Sequence, residues 1–564
     1  MSSRRFVHRA NFLVMMFFLV LGYIVFRMFV LQVVEGNEYR EKANMVRFRM
    51  EDLLPSRGQV LDRNGEVLAR DTEAISVYCV PRMIENPESA AQKIAPLLGL
   101  DVEETREKFE SRKSFVWLKR QVPLHIKEKL EKEKIVGIEW NKEYKRYYPH
   151  APHLSHILGF VGIDHQGLEG LEFALNEELT GKMGYMTFER DGTGKEIPGS
   201  LVYFNPQSGY NVTLTIDRTI QFYVEKALDE AIERTKAKAG VVVVNDPRTG
   251  DILAMASRPS YDNNHFNDYP PEAWRNLGVS MLFEPGSTMK PLIMASALQE
   301  NKVYLGESFY CGGSIMVYNH RVRDIKSHGQ ETLEDILINS CNVGTIQIAQ
   351  RLGEETLYRY LKNFGIGEAC ETGLNGEETG LLRKPRSWSA LSIGAIPIGQ
   401  EILVTPIQLL RSLSTVANRG VLMKTRLVKK VTDENGKVIR EVLPAPIRRV
   451  IDEETADLVI KMMKKVVDQG TGKKAAIPGY SIGGKTGTGQ KIGADGRYAI
   501  NRFYSSFVGF FPVPEPRFGI LVVLDEAQGE YYGGDIAAPV FREIAQNIIH
   551  YAGIMPENAE VTVY

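Results

Sequence analysis

A long apolar segment near the N-terminus constrains this chain more than any other feature. It runs from Phe12 to Val34 and contains a single charged residue, Arg27. As a helix, 23 residues extend about 34 Å at ~1.5 Å per residue, enough to cross a hydrocarbon core of ~30 Å. Because three arginines precede the segment and cationic flanks face the cytoplasm, the sequence predicts a cytoplasmic tail at 1–11, a transmembrane helix at 12–34 and an extracytoplasmic remainder.

A cleaved signal peptide is the alternative interpretation of this segment. The apolar stretch is long for a signal core, and residues 32–36 (Gln-Val-Val-Glu-Gly) provide no small-x-small cleavage site. A second apolar run of comparable length does not occur in the sequence. The prediction is therefore a single-pass membrane protein.

The remaining chain is long enough for two domains, and its composition is that of a globular protein. At 564 residues it exceeds one ordinary domain, and its net charge of -1 excludes the basic field typical of nucleic-acid binding. Residues 35–205 are predicted to form an α+β pedestal, with a hairpin at Asn64-Gly65 and a mostly helical stretch from 85 to 134.

A second domain is predicted over 206–555, followed by a tail at 556–564. Strand-like segments occur at both of its ends, at 212–217, 240–256, 503–511 and 518–524, and a helix near 538–551 closes it. The middle, 287–470, has mainly helical patterns. Strands at both ends with helices between them indicate an antiparallel sheet covered by helices, an α+β fold.

Three short motifs in this second domain carry the candidate chemistry. The first is Ser287-Thr288-Met289-Lys290, where the turn Pro285-Gly286 precedes a helix and Pro291 limits its start. Ser287 and Lys290 are three residues apart and share a helix face. A serine hydroxyl needs a neighbouring base, and a lysine provides one if burial or cationic neighbours lower its pKa.

The other two motifs supply groups for binding and proton transfer. Ser340-Cys341-Asn342 follows a helical pattern and offers a proton relay and an amide that holds a peptide. Lys485-Thr486-Gly487-Thr488 lies between glycines and offers donors for a carboxylate. Residues 479–486 also fit the phosphate-binding pattern G-x-x-x-x-G-K-[ST], but the following glycines disfavour the helix that such a loop opens.

The four cysteines (Cys79, Cys311, Cys341 and Cys370) are scattered, and no cysteine or histidine spacing typical of a metal site occurs. Most of them are interpreted as small apolar residues, and Cys311 with Cys370 is the one pair considered for a disulfide. No metal and no organic cofactor are predicted.

With these motifs in place, the chain resembles the class B penicillin-binding proteins, and most closely their cell-division (septal) peptidoglycan D,D-transpeptidases. Further segments that carry the resemblance are 57–65, 146–149, 167–172, 283–291, 399–400, 404–406, 484–488 and 531–541. The resemblance implies a serine β-lactamase-like transpeptidase domain on a pedestal of the penicillin-binding protein dimerisation type. It also implies a bacterial plasma membrane protein.

The resemblance further implies the role of each motif residue in cross-linking peptidoglycan. Ser287 would attack the D-Ala-D-Ala carbonyl of a stem peptide, and Lys290 would be the base. Ser340 and Lys485 would pass a proton to the leaving D-alanine, and Asn342 would hold the peptide amide. The remaining implied contacts are a carboxylate site at Thr486, Gly487 and Thr488 and an oxyanion hole of the Ser287 and Thr488 N–H groups.

The implied ligands and partners are peptidoglycan stem peptides, β-lactams, a membrane-embedded glycan polymerase and other division proteins. An elongation or sporulation role stays open, as does a D,D-carboxypeptidase or β-lactamase-type hydrolase. A β-lactam sensor or silent division scaffold is the non-enzymatic alternative. Two absences favour the synthase: no E-D-x-x-F-x-x-H glycosyltransferase segment precedes 205, and no E-x-x-L-N follows Asn342.

Overall fold

The computed structural model describes residues 2–189, 197, 202–493 and 497–557 of the chain. The predicted tail at 556–564 lies outside these residues beyond position 557. Two compact units are present, one of residues 1–56 with 181–208 and the other of residues 57–180 with 209–564.

The described helices, in chain order, are α1 Ser2–Phe29, α2 Gly36–Arg47, α3 Pro87–Leu98, α4 Val102–Phe109, α5 His125–Glu133, α6 Ser155–Leu158, α7 Gly170–Ala174, α8 Asn176–Thr180, α9 Arg218–Thr235, α10 Leu277–Ser280, α11 Lys290–Gln299, α12 Leu333–Ile338, α13 Asn342–Leu352, α14 Glu354–Asn363, α15 Ser392–Ala395, α16 Pro406–Ala417, α17 Glu453–Gln469 and α18 Gly533–Tyr551.

The described strands, in chain order, are β1 Phe48–Leu53, β2 Val60–Leu61, β3 Val67–Cys79, β4 Val116–Pro123, β5 Ile138–Tyr147, β6 Gly184–Glu189, β7 Val202–Phe204, β8 Asn211–Leu214, β9 Ala239–Asp246, β10 Asp251–Arg258, β11 Ser308–Cys311, β12 Ser314–Val317, β13 His320–Arg323, β14 Gly329–Thr332, β15 Val421–Met423, β16 Val428–Thr432, β17 Val438–Glu441, β18 Pro446–Arg449, β19 Gly483–Ile492, β20 Tyr498–Phe511 and β21 Phe518–Asp525.

The first unit contains the apolar helix and a small sheet. α1 continues into a π-helical turn at Val30–Val34. Residues 4–34 form the one helix, among those that the structure describes, that is long and apolar enough to cross a membrane. Its apolar side chains are exposed, which is the surface that lipid would cover. The strands β1, β6 and β7 form a three-stranded sheet in which both pairings are antiparallel.

The second unit begins with the pedestal strands. β2 pairs antiparallel with β3 across Asn64-Gly65, so the predicted hairpin is confirmed. The prediction of a mostly helical stretch at 85–134 is wrong in part, because β4 lies between α4 and α5 and pairs with β3. Leu118 and Val122 of β4 are buried in the pedestal core, while charged side chains lie between them and mask the strand pattern.

A mixed sheet joins the pedestal strands to those of the following region. The strand order is β17-β16-β8-β2-β3-β4, and β5 also pairs with β3. The contact between β2 and β8 is parallel, with Val60 opposite Val212. The pedestal strands and the strands of the following region therefore form one sheet, and the backbone hydrogen bonds of that sheet stabilise both.

A buried ion network lies beside this sheet. The Arg57 Nε atom donates to Glu172 Oε2 at 2.5 Å, and Arg146 Nε donates to Glu172 Oε1 at 2.6 Å. Arg146 also pairs with Asp71 at 3.2 Å. Glu172 is completely buried, so its charge is compensated by the two guanidinium groups and not by solvent.

The predicted antiparallel sheet is confirmed as five strands in the order β10-β9-β21-β20-β19. Along β9, Val241 and Val243 face one apolar core, and Val242 and Val244 face the other. α9 and α18 belong to the second core, whereas α11, α16 and α17 belong to the first. β19, which carries Lys485, is an edge strand, so one side of it is open for a ligand.

The middle of this region is helical, as predicted, but it also contains short strand pairs that the sequence patterns did not indicate. They are β11 with β14, β12 with β13, β15 with β18, and β16 with β17. Their segments are three to five residues long, too short for a period-two pattern to emerge.

Candidate active site

The first motif lies where a tight turn becomes a helix. Residues Gly286–Met289 form a 3₁₀ turn that continues into α11 at Lys290, with Pro291 in the first turn as predicted. Gly286 has a positive φ of 59° and its N–H donates to Gly399 O at 3.1 Å. Thr288 Oγ1 donates to Pro285 O at 2.7 Å, so the turn that presents Ser287 is fixed from both sides.

The second motif connects two helices through a sharp bend. α12 begins with a capping box at Thr332 and ends before Ser340, whose φ of 58° reverses the chain. Cys341 then caps α13 by accepting the Gly344 N–H at its sulfur. Ser340 lies at this bend and is partly exposed, as a group that contacts substrate must be.

The third motif lies on edge strand β19, directly against the Ser287 turn. A Cβ atom on Gly487 would lie 2.8 Å from Thr288 Cγ2 and 2.9 Å from Pro285 O. No side chain fits in this gap, so glycine allows the strand to approach the turn. Thr486 Oγ1 is 2.8 Å from Thr471 Oγ1, and Thr488 Oγ1 accepts the Gly533 N–H at 3.2 Å.

Ser340 is the point at which the three motifs meet. Its Oγ lies 2.9 Å from Lys485 Nζ and 3.3 Å from Lys290 Nζ. Lys290 Nζ also donates to Asn342 Oδ1 at 2.8 Å and to the Ser340 carbonyl oxygen. No hydrogen bond between Ser287 Oγ and Lys290 Nζ is present in the described part of the chain, so the lysine is engaged by the second motif.

Both lysines are buried, and burial determines their electrostatics. Lys290 is 1% exposed and Lys485 is fully buried. Burial lowers the pKa of Lys290 from 10.5 to about 8, against the opposing charge of Asp324. The pKa of Lys485 is lowered well below its usual value by burial and then by the neighbouring Lys290. The neutral base that the sequence argument requires is therefore accessible near neutral pH.

The motif residues surround one open cavity of about 800 Å³. The candidate site residues that line it are Ser287, Ser340, Asn342, Thr486, Gly487 and Thr488, and the two lysines lie beneath it. All eight residues predicted from sequence are thus brought together, although their positions span about two hundred residues of chain.

Several further lining residues were not predicted as site residues. Asp324 precedes α13 in sequence but contacts its N-terminus. Its carboxylate accepts the Asn342 and Val343 N–H groups at 3.0 Å each. An aromatic wall is formed by Phe503, which stacks on Tyr531 at 4.3 Å between ring centres, and by Tyr532. Tyr531 and Tyr532 lie in a segment that carried the resemblance, whereas no local pattern marks Asp324.

Comparison with known proteins agrees with this geometry. The family model for the penicillin binding protein transpeptidase domain matches residues 240–546, and that for the penicillin-binding protein dimerisation domain matches 52–214. The chain belongs to the class B penicillin-binding proteins. The boundaries predicted at 35–205 and 206–555 stay a prediction.

Named relatives of this penicillin-binding protein cover nearly its whole length. Stage V sporulation protein D of Bacillus subtilis (strain 168) is 34% identical over 97% of this chain and 87% of that protein. The peptidoglycan D,D-transpeptidase FtsI of Escherichia coli (strain K12) is 32% identical over 96% of this chain and 91% of that protein. With the apolar helix, these relatives identify a membrane-anchored penicillin-binding protein.

A solved structure extends the similarity to the fold. Penicillin binding protein 3 of Mycobacterium tuberculosis, crystallised with aztreonam, superposes with a TM-score of 0.71 at 27% identity. The match covers 90% of this chain and 98% of that one. The expected arrangement, a transpeptidase domain with a dimerisation-type domain, is confirmed.

Proposed function

We propose that this penicillin-binding protein is a peptidoglycan D,D-transpeptidase that cross-links stem peptides through a Ser287 acyl-enzyme during septal wall synthesis. The observation that carries the proposal is the position of Ser340 Oγ, 2.9 Å and 3.3 Å from the two buried lysine Nζ atoms, at the base of the cavity that Ser287 also lines. A nucleophile, a neutral amine and a hydroxyl relay at one cavity are the groups that acyl transfer requires.

The acylation step uses the lowered pKa of Lys290. In its neutral form Lys290 takes the Ser287 hydroxyl proton as the oxygen attacks the D-Ala-D-Ala carbonyl carbon. The peptide C–N bond then breaks, and Ser340 passes a proton to the departing D-alanine amine. Lys290, which holds the Ser287 proton, replenishes Ser340, and Lys485 orients the same hydroxyl. The products are a Ser287 ester and free D-alanine.

Substrate binding is assigned to the remaining motif groups. Thr486 and Thr488 hold the terminal carboxylate of the donor peptide, and Gly487 lets the strand approach it. Asn342 holds a peptide amide. The N–H groups of Ser287 and Thr488 stabilise the negative charge that develops on the carbonyl oxygen, which is a large contribution in a buried site.

The second half-reaction forms the cross-link. The amine of a second stem peptide attacks the Ser287 ester, and the serine oxygen recovers its proton through the same base. A β-lactam carries a reactive amide in place of D-Ala-D-Ala and acylates Ser287 in the first step. We place the donor peptide and the attacking amine in the open cavity of about 800 Å³ that Ser287 lines.

A fluorescent penicillin tests the acylation step. The purified full-length protein is expected to become covalently labelled, and Ser287→Ala to lose the label completely. Ser296→Ala is the matched control, because Ser296 lies on α11, which follows the Ser287 turn, and its hydroxyl donates to Leu292 O at 2.7 Å. Mass spectrometry of the labelled peptide identifies the residue, and label on any residue other than Ser287 contradicts the assignment.

Cross-linking itself separates a transpeptidase from a hydrolase. With a polymerised glycan substrate, we expect dimeric cross-linked muropeptides after digestion. Release of D-alanine without dimers, or rapid turnover of the penicillin, would identify a carboxypeptidase or a β-lactamase-type hydrolase instead.

The membrane orientation is part of the same proposal. Arg4, Arg5 and Arg9 precede the apolar helix, so we infer an N-terminus in the cytoplasm and a catalytic domain outside it. We also infer a membrane-embedded glycan polymerase and other division proteins as partners. Protease added to intact spheroplasts should digest the catalytic domain, and its protection would reverse the orientation.

A sporulation role is the second candidate. The sporulation protein of Bacillus subtilis is as similar to this chain as the division transpeptidase of Escherichia coli. Depletion in growing cells is expected to produce filaments if the role is septal. Normal division with defective spores would favour the sporulation role.

A further inference from the structure

Four side-chain atoms with metal-binding chemistry lie together beside the second motif. Cys311 Sγ, His328 Nδ1, a Glu331 carboxylate oxygen and Cys341 Sγ are all within 4.8 Å of one another. Cys311 Sγ is 3.5 Å from His328 Nδ1, which is 3.7 Å from Glu331 Oε1. A tetrahedral zinc ion with bonds of ~2.0–2.3 Å separates its ligand atoms by about 3.3–3.8 Å, so these groups are already near the required spacing.

The short strand pair β11–β14 brings three of these groups together. Cys311 is opposite Gly329, and Phe309 is opposite Glu331, so Cys311 and Glu331 are diagonal neighbours across the pair. His328 immediately precedes β14, and its N–H donates to Cys311 O at 3.2 Å. Cys341 completes the group from the bend between α12 and α13.

An unsatisfied carboxylate oxygen points independently to a ligand. Glu331 is 2% exposed, and its Oε2 has no hydrogen-bond partner among the residues that the structure describes. Its other oxygen accepts from Asn339 Nδ2 at 2.9 Å. A buried carboxylate oxygen without a partner is costly, and a cation that it coordinates would remove that cost.

Burial and the neighbouring Glu331 carboxylate raise the pKa of Cys341, so its sulfur is a thiol until a cation displaces the proton. The Gly344 N–H donates to Cys341 Sγ at 3.2 Å at the N-terminus of α13, where the helix dipole favours negative charge. Asp324 lies beside both sulfurs, 3.1 Å from Cys341 Sγ and 3.5 Å from Cys311 Sγ. Asp324 Oδ2 accepts both thiol protons, and its two backbone N–H donors hold the carboxylate in place when those protons leave.

We propose that Cys311, His328, Glu331 and Cys341 bind one Zn²⁺ ion, which fixes the Ser340-Cys341-Asn342 bend to the β11–β14 pair. Two thiolates, an imidazole and a carboxylate form a donor set that suits tetrahedral zinc better than the oxygen-preferring cations. Binding displaces one proton from each thiol, so the two charges that the ion brings are balanced by two protons that leave.

The consequence of this site is positional. Cys341 is the middle residue of the motif whose neighbours, Ser340 and Asn342, engage both buried lysines. The ion would hold this bend in place, and with it the two residues that contact the lysines. Cys341 would then be a metal ligand that positions the second motif.

Metal content and ligand identity test the proposal without any use of acyl transfer. The full-length protein is purified in detergent without chelators and its metal is counted by mass spectrometry. One equivalent of zinc per chain is expected. Replacement of that zinc by Co²⁺ should produce the visible and thiolate charge-transfer bands of a tetrahedral site. X-ray absorption should reveal two sulfur ligands at ~2.3 Å and two nitrogen or oxygen ligands at ~2.0 Å.

Variants of the same residue type provide the control. Cys311→Ser is expected to weaken zinc binding by more than about 100-fold, because loss of an outer partner alone costs 10- to 100-fold. Cys370→Ser, which replaces another buried cysteine outside the cluster, should bind zinc as the parent chain does. A chelator should lower the melting temperature of the parent and of Cys370→Ser equally.

Four results would overturn the proposal. One is reduced parent protein that gives no cobalt thiolate band. Another is equal zinc content in the parent and Cys311→Ser chains. A third is an X-ray absorption spectrum of the parent that contains nitrogen and oxygen ligands alone, because such a shell means adventitious surface binding. This measurement tests the proposal even if Cys311→Ser does not fold. A Cys311–Cys341 disulfide that gives no metal binding after reduction also contradicts it.

Discussion

The pH dependence of acylation provides the sharpest test of how this site works. Burial lowers the pKa of Lys290 from 10.5 to about 8. A solvated lysine would be only about 0.03% neutral at pH 7, whereas a lysine with that lowered pKa is about 9% neutral. At pH 7 the fold therefore increases the fraction of neutral base about 300-fold, a gain that the lower basicity of the amine offsets in part.

The expected profile follows from this pKa. Because the pKa of Lys290 is lowered, the lysine loses its proton as the pH is raised through about 8. The rate of acylation by a β-lactam without other ionising groups should therefore rise with pH and then level off. Between pH 7 and pH 9 the neutral fraction increases from about 9% to about 90%, so the second-order rate constant for acylation should increase about tenfold.

The measurement is a stopped-flow or quenched-flow series over pH 6 to about 10, with thermal unfolding at each pH to verify that the protein stays folded. A rate that is constant between pH 6 and pH 9 would refute the role of Lys290 as a neutral base. A rate that still rises tenfold per pH unit beyond pH 9.5 would mean that burial does not lower this pKa.

Three substitutions test other parts of the argument. Gly487→Ala should destabilise the fold by about 1–3 kcal/mol and slow acylation, because the added methyl lies 2.8 Å from Thr288 Cγ2 beside the nucleophile; unchanged urea unfolding and acylation would contradict this. Ser340→Ala should leave Ser287 reactive but slow its acylation by roughly 10²–10⁴-fold, and a quenched-flow rate equal to that of the parent would remove Ser340 from the proton path. Glu172→Gln should cost about 3–5 kcal/mol in urea unfolding because it removes the buried charge that Arg57 and Arg146 share, although Arg146 keeps its pair with Asp71. The exposed-pair control Glu178→Gln should change stability by less than about 1 kcal/mol.

Much of the fold could be predicted because its patterns are local. The apolar run at 12–34, the turn at Asn64-Gly65 and the hairpin at 240–256 all depend on neighbours in sequence, and each is present in the structure. β4 was missed for the opposite reason. Its charged residues suit a helix, and only pairing with β3 makes the segment a strand.

The residues of the candidate site also differ in whether a local sequence pattern identifies them. The three motifs could be found from sequence because each is a short run whose residue types carry the chemistry. Asp324 and the cluster around Cys341 could not, because their donors are separated by between three and thirty residues and have no common period. Sequence spacing therefore predicted no metal, although four ligand groups converge in the fold.

The amino-acid sequence by itself determined the apolar N-terminal segment and the α+β class, and it predicted a nucleophile, a base and carboxylate-binding residues, since these follow from hydropathy, periodicity and residue chemistry. Tertiary structure decided which oxygen atoms each lysine nitrogen contacts, how deeply each amine is buried and which side chains surround Cys341. Burial and distance arise from segments far apart in the chain, and it is these that set a lysine pKa near 8 in place of 10.5.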